Sequence, residues 1–464
     1  MFTLDKMHEE CGVFGIFNLD SAVELTYYGL HSLQHRGQEG CGIISSSENL
    51  KIHKGEGLVT NVFDEQVIEN LQGHSAIGHV RYSTAGGGGI QNVQPFLFRH
   101  HTGDFGLCHN GNIVNSSEIR TYLEREGTIF QSTSDTEILA HLVKKDRRND
   151  RIDALKDALR ILEGAFAFLV LTNDKLYIVR DKNGLRPLSI GRINGAYVVS
   201  SETCAFDIVG AEFVRDVEPG EIIIISKDGI ESHFYAEDTK NNMCAMEYIY
   251  FSRPDSNIEG LNVHSARKES GKQLAREAYV EADIVIGVPD SSTSAAIGYA
   301  EESKIPYEMG LIKNKYIART FIQPTQELRE KGVRMKLSSV SSIVKGKRVV
   351  LIDDSIVRGT TCKRIVSLLK EAKAKEVHVR IAAPPITHPC FYGVDTSTYE
   401  ELISSRLSVN EVKELLGADS LCFLELQSLE KVLGRKELCT ACFSGVYPTP
   451  TYKALEEVNK DNKF

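Results

Sequence analysis

Residues 349–361 read VVLIDDSIVRGTT, and this stretch decides how the second half of the chain folds. Its opening residues are apolar without alternation, the pattern of a strand covered on both faces, as in a parallel sheet between helices. The run ends in Asp353 and Asp354. A loop carrying Ser355, Arg358, Gly359, Thr360 and Thr361 then leads into TCKRIVSLLKEAKA, which has helical periodicity. In an open α/β sheet, ligands sit at the carboxyl ends of the strands. A helix N-terminus there offers backbone N–H groups and hydroxyls to a phosphate. Two carboxylates cannot serve that phosphate; they suit ribose hydroxyls or a hydrated Mg²⁺. No G-x-x-x-x-G-K-[ST] or G-x-G-x-x-G pattern occurs, so triphosphate and dinucleotide folds lose support. The plainer reading is an acidic strand end followed by a Ser/Thr-capped helix.

Outward from this stretch, ADIVIGVPD, a Ser-rich turn with a helix from Ser291, and EVHVRIAAPP continue a strand–helix alternation that predicts a mainly parallel sheet. The first half differs. Short apolar runs (LVLT near Leu169, YVVSSE from Tyr197) are broken by turns, and in PGEIIIISKDGIES, Asp228 and Gly229 stand where a hairpin would turn. This predicts packed antiparallel sheet with a few helices, one over 135–145. The polar run DTKNN after Glu237 interrupts the pattern, which places the boundary between Phe234 and Cys244.

With 464 residues, the chain has room for two or three domains at about 150 residues each. Lys plus Arg number 54 against 63 Asp plus Glu, a formal charge of −9, which argues against a protein whose main work is to neutralise nucleic-acid or membrane phosphate. The 42% hydrophobic share is that of a soluble globular protein, and no window holds the roughly 18 apolar residues of a membrane span. Residues 1–10, MFTLDKMHEE, lack the features of a secretory signal, so a cytoplasmic location is expected. Ten cysteines are too sparse for a disulfide scaffold.

Cys11 opens the strand-like CGVFGIF. If residues 1–10 were removed, it would carry a thiol and a free α-amine of pKa about 7.7–8.0, so nucleophile and base would be one residue. The plainer reading is a buried strand cysteine. CHNGN at 108–112 offers the Asn110 amide and the Gly111 N–H as donors to an oxyanion. Arg81 in GHVRYST has a fork suited to a carboxylate, and Asp135 in STSDTE could hold an ammonium or merely cap a helix.

In the order CGVFGIF, QHRGQEG, GHVRYST, HNGNI and SDTE, the first half resembles the glutaminase domain of N-terminal-nucleophile (class II) amidotransferases. The resemblance implies a four-layer αββα fold, with Cys11 attacking the glutamine amide, Arg81 binding the α-carboxylate, Asp135 the α-amine, and Asn110 with Gly111 forming the oxyanion hole. The 349–361 stretch resembles the phosphoribosyl-pyrophosphate (PRPP) motif of type I phosphoribosyltransferases, and VPDSST, with Asp290 and Ser291, looks like that family's pyrophosphate loop. Between them, residues 313–336 are strongly basic. Alone they would be a solvated charge run; beside pyrophosphate, Lys315, Arg319, Arg334 and Lys336 could close over the negative charge and exclude water.

Cys439 and Cys442 form C-x-x-C, and with Cys244 and Cys390 four thiolates could meet around an iron–sulfur cluster or zinc; spacing cannot choose. Cys41, Cys108, Cys204, Cys362 and Cys422 read as structural. The combination resembles the propeptide-bearing, [4Fe–4S]-containing branch of the amidophosphoribosyltransferase family, over essentially the whole chain. That implies a propeptide at 1–10, a glutaminase domain at 11–236 and a phosphoribosyltransferase domain with a C-terminal cluster-binding segment at 237–464. It also implies one Mg²⁺ per subunit near Ser291, Asp353 and Asp354, one [4Fe–4S] cluster per subunit, glutamine and PRPP as substrates, purine nucleotides as feedback inhibitors, and a homotetramer. Competing readings are an amidotransferase with another acceptor, a PRPP-sensing nucleic-acid regulator and a non-catalytic iron–sulfur sensor.

Overall fold

The computed structural model describes residues 11–82, 88–101, 103–145, 151–314, 337–394, 396, 398–435 and 437–449. Two antiparallel sheets face each other in the first half. One has seven strands in the order Glu212–Asp216, Ser189–Ile193, Ala196–Ser200, Gly12–Phe17, Ser75–Arg81, Gly40–Ser46, Leu50–Glu56; the other has six, in the order Gly229–Phe234, Glu221–Ser226, Lys175–Arg180, Gly164–Leu171, Phe105–Ile113, Phe96–Phe98.

Side chains alternate across a strand, so each sheet has an inner and an outer face to cover. On Gly12–Phe17, Phe14 and Ile16 pack outward with Leu30 of the helix Ala22–Ser32 and Phe206 of Cys204–Val209. Val13 and Phe17 point inward to Leu169, Ile178 and Ile223 of the second sheet. The second sheet's outer face, with Phe166, Phe168 and Ile222, is covered by Leu123, Leu139 and Leu159 from three helices. The layers are therefore αββα, as the resemblance implied. The hairpin is present, but its turn residues are Lys227 and Asp228; Gly229, expected in the turn, opens the next strand opposite Ser226, with a positive φ of 130°.

In the second half, Ile284–Gly287, Arg348–Asp353, Glu376–Ile381 and Ser420–Phe423 form one parallel sheet in that order. Its unbroken apolar strands serve two cores. Val350 and Ile352 join Ala295, Tyr299 and Leu274 on one side; Val349 and Leu351 join Ile365, Leu369 and Leu416 on the other. The helices Thr293–Ser303 and Thr360–Glu371 begin beside the carboxyl ends of the first two strands. The polar 238–242 run does not hang free: Lys240 and Asn242 donate their N–H groups to the carbonyls of Lys182 and Asn183, at 2.9 and 2.7 Å. Directly after it, Met243–Cys244 pairs in parallel with Leu438–Cys439, so the C-terminal segment returns to the junction. Among the described residues, no helix is long and apolar enough to cross a membrane.

Candidate active sites

Cys11 stands immediately before the central strand Gly12–Phe17, and its Sγ donates to the Tyr82 carbonyl at 3.5 Å. Burial pushes its thiol above the ordinary value; the bond to Tyr82 and the nearby Arg81 and Arg36 charges oppose that, and Asp135 adds to it. Arg81 is the last residue of the neighbouring strand, buried, with Glu39 at 4.0 Å. The electrostatic proximity of Cys11, Arg81 and Asp135 brings together three positions that are more than 50 residues apart in sequence.

Asn110 and Gly111 do not form a turn. They lie inside the strand Phe105–Ile113, with Gly111 opposite Phe166. Asn110 is fully buried; its Nδ2 donates to Ser201 Oγ at 3.4 Å, and that hydroxyl also accepts the N–H of Val13 at 3.0 Å, two residues from Cys11. Gly111 has φ +139°, and a Cβ there would lie 2.1 Å from the Ala165 carbonyl oxygen, so only glycine fits. Asp135 precedes the helix Glu137–Lys145 and does not give its carboxylate to that helix: Oδ2 accepts the N–H of Ile113 at 2.8 Å, and Oδ1 faces His109 at 3.7 Å. Burial would raise its pKa, but His109 and the backbone donors outweigh it and hold the carboxyl below its usual range.

The residue that the sequence reading left unassigned is Arg36, in the middle of the QHRGQEG motif. It is fully buried, donates Nε to the Cys11 carbonyl at 3.0 Å, Nη1 to Glu202 at 2.6 Å, and both Nη atoms to Glu247 at 2.9 and 2.8 Å. Burial opposes its charge, and the two carboxylates overcome that opposition.

At the end of Arg348–Asp353, Asp353 and Asp354 are almost fully buried, beneath the hydroxyls of the other strand's loop. Ser292 donates to Asp353 at 3.0 Å, Ser291 donates to Asp354 Oδ2, and Ser355 donates to Asp354 Oδ1 at 2.8 Å. Two carboxylates and neighbouring hydroxyls suit Mg²⁺, which keeps most of its waters and takes one or two carboxylates from protein. Gly359, at φ +82°, turns the chain into the helix whose first residues are Thr360 and Thr361. Arg358 pairs with Glu401 at 3.2 Å, and Asp290 pairs with Lys313 at 2.8 Å in an exposed bridge. Lys313 and the buried Ser292 had no distinguishing sequence signal beyond their neighbours. Lys315, Arg319, Arg334 and Lys336 lie outside the described residues.

All ten cysteines are free thiols, and Cys244, Cys390, Cys439 and Cys442 line one cavity with Arg186, Met246, Tyr392 and Thr396. Burial, then the proximity of the other three sulfurs, raises the Cys442 thiol well above its ordinary value. Among the described residues, no three His, Cys, Asp or Glu side chains gather as a single metal ion would require. A cluster, whose own iron and sulfide atoms separate its four ligands, is compatible with thiols spread around a cavity.

An αββα sandwich with Cys11 at its central strand, joined to a parallel sheet with a hydroxyl-rich loop after an acidic pair, defines a glutamine amidotransferase fused to a phosphoribosyltransferase. Two family models match accordingly: a glutamine amidotransferase domain over residues 79–207 and a phosphoribosyl transferase domain over residues 261–396. The amidophosphoribosyltransferase of Bacillus subtilis (strain 168) is 58% identical over 96% of either chain, and that of Staphylococcus epidermidis is 53% identical over 97% of this chain and 93% of its own. A solved structure of glutamine PRPP amidotransferase from B. subtilis, complexed with ADP and GMP, superposes with a TM-score of 0.92 at 58% identity, covering 96% of this chain and 98% of that one. This chain belongs to the amidophosphoribosyltransferase family.

Replacing Gly111 by alanine should be severe for a change of one methyl group, because the residue would have to leave φ +139° and push away the Ala165 carbonyl. Glutamine-dependent glutamate release should fall by about a hundredfold or more, with a lowered melting temperature; a kinetic assay and a thermal melt on the same preparation check both.

Proposed function

We propose that the protein transfers the amide nitrogen of glutamine to PRPP, giving 5-phospho-β-D-ribosylamine, glutamate and pyrophosphate, the first committed step of purine synthesis. The observation that carries this reading is one chain holding both sites, Cys11 at the head of the central strand of the first half and the Asp353–Asp354 pair beneath a hydroxyl-rich loop in the second, with Cys11 tied to the second half through Arg36 and Glu247. The deciding experiment measures PRPP-dependent glutamate release by the purified protein, with and without Mg²⁺; no release in the presence of both substrates and Mg²⁺ would refute it.

In the first half-reaction the Cys11 thiol loses its proton to its own α-amine and attacks the glutamine amide carbon. Arg81 holds the α-carboxylate and Asp135 the α-amine. The tetrahedral oxyanion accepts hydrogen bonds from Asn110 and Gly111, then collapses to a glutamyl thioester as ammonia leaves. Water cleaves the thioester to glutamate and regenerates the thiol. In the second half-reaction ammonia displaces pyrophosphate at ribose C1. Backbone and hydroxyl groups of Ser355, Gly359, Thr360 and Thr361, with Arg358, bind the 5-phosphate. Asp353 and Asp354 serve the ribose hydroxyls, and Asp290 with Ser291 lies at the pyrophosphate end. Lys315, Arg319, Arg334 and Lys336, which lie outside the described residues, would supply positive charge for the phosphates. Ser291, Asp353 and Asp354 would hold Mg²⁺, which when bound would supply charge neutralisation for the leaving pyrophosphate.

Cys244, Cys390, Cys439 and Cys442 would hold a [4Fe–4S] cluster, which would supply a structural tether between the junction and the C-terminal segment. The working division is a propeptide at 1–10, glutaminase at 11–236 and phosphoribosyltransferase at 237–464. Purine nucleotides carry a ribose 5-phosphate like that of PRPP, which suits them to the same loop; the B. subtilis relative holding ADP and GMP supports their role as inhibitors. A homotetramer in the cytoplasm completes the reading. The edge strand Glu212–Asp216, with Phe213 and Val214 exposed, is available to an oligomer contact.

Residues 1–10 should be absent from active enzyme, because a base stands beside the thiol only when the α-amine of Cys11 is free. Intact-mass measurement checks this, and full activity in protein beginning at Met1 would contradict it. Asp354→Asn should abolish synthesis from PRPP with either glutamine or added ammonia while some glutamine hydrolysis survives; unchanged PRPP affinity in a binding titration would refute the assignment. Protein purified without oxygen should be brown and contain about four iron atoms per chain. Cys442→Ser should lose iron and solubility together, whereas one zinc per chain by metal analysis would overturn the cluster.

A further inference from the structure

We propose that Glu247 is a positioning residue for the Cys11 nucleophile, acting through Arg36. The proposal rests on the reading of Cys11 as the glutaminase nucleophile. Glu247 belongs to the second half, starts the helical turn Glu247–Phe251, and is fully buried. Its two oxygens take the Arg36 fork at 2.9 and 2.8 Å, and Ser252 Oγ donates to Oε2 at 2.7 Å. With both Nη atoms of Arg36 so occupied, the remaining Nε is aimed at the Cys11 carbonyl, 3.0 Å away. After removal of residues 1–10, Cys11 has no preceding peptide to hold it. Its main chain is then fixed by the strand that follows and by this one bond to its carbonyl.

The turn is clamped from its other side as well. Arg267 donates Nε to the Tyr248 carbonyl and Nη2 to the Ser252 carbonyl, both at 2.8 Å, and lines a cavity with Ser291, Ser292 and Asp354. The orientation of the nucleophile therefore depends on a carboxylate supplied by the half that does not bind glutamine. Arg81 and Asp135, which would hold the substrate, belong to other elements and have no contact with Glu247 in this network.

The test is steady-state kinetics on the full processed enzyme. Glu247→Gln keeps the size of the side chain and removes its charge and one acceptor. The kcat for glutamine hydrolysis should fall about tenfold or more, as misplacement of a reacting group predicts. The KM for glutamine and the rate of synthesis from PRPP with added ammonia should stay within about twofold. Glu247→Asp should recover part of the lost kcat. Wild-type kcat in Glu247→Gln would overturn the proposal. So would a parallel loss of hydrolysis and ammonia-dependent synthesis, whatever the fall in melting temperature, which would mark a purely structural residue. If Glu247→Gln does not fold, Ser252→Ala removes the hydroxyl that orients Oε2; a selective fall in kcat supports the proposal and an unchanged kcat overturns it. Failure of the underlying reading looks different: wild-type enzyme would then release no glutamate, and Cys11→Ser would change nothing.

Discussion

Arg36 carries a full positive charge at a point that water does not reach, and the rest of the molecule is arranged around that requirement. A buried charge must be paired and hydrogen-bonded to persist. Here Glu202 comes from the first half and Glu247 from the second, so neither half satisfies the guanidinium alone. Removing one partner of such a buried pair costs about 3–5 kcal/mol because the other is left uncompensated. The pairing therefore fixes how the two halves meet. It also fixes Cys11, whose carbonyl takes the last direction of the fork. The next residue, Gly37, packs so closely that a Cβ would lie 2.6 Å from the Arg81 backbone, which sets a second site residue from the same short motif.

The seam between the halves is reinforced from the cysteine cavity. Cys244 is three residues before Glu247, and the two residues after Cys390 each give a carbonyl to the first half: Phe391 accepts from Asn112 at 2.9 Å, and Tyr392 accepts from Arg186. Arg186 in turn lies 3.5 Å from Glu247. Asn112 follows Gly111 on the strand Phe105–Ile113. The cavity thus lies between segments that touch both Arg36 and the strand Phe105–Ile113. The cavity is part of the frame around Cys11 as well as a tie for the C-terminal segment.

The two sites solve opposite electrostatic problems. Around Cys11 the environment is buried, and burial raises the thiol above its ordinary value, so any base that activates it has to stand very close. Around Asp353 and Asp354 the carboxylates are kept in place by hydroxyls from Ser291, Ser292 and Ser355, an arrangement that a hydrated cation and a phosphorylated sugar can enter without rebuilding the strand ends. Ammonia made at the first site must reach the second before water protonates it, which gives a physical reason for a close and rigid junction.

What the sequence determined by itself was local. The unbroken VVLI run, the alternation of strand and helix around it, and a hairpin near Asp228, one residue earlier than its glycine suggested, follow from periods of two and 3.6 residues and from the turn preference of Asp-Gly. The motifs around Cys11, Arg81, Asn110 and Asp135 were legible because each keeps its chemistry within a few consecutive residues. Other features were decided only by the tertiary structure. Asn110-Gly111, which as a dipeptide suggests a turn, became strand interior through pairing with Phe166 and Ala167. Asp135, placed to cap a helix, serves the N–H of Ile113 instead. Arg36 reaches Glu202 and Glu247 across 166 and 211 residues of chain. No spacing rule connects such positions, because a buried ion pair is selected by which surfaces come together once the cores have formed, and that depends on the packing of both halves at once.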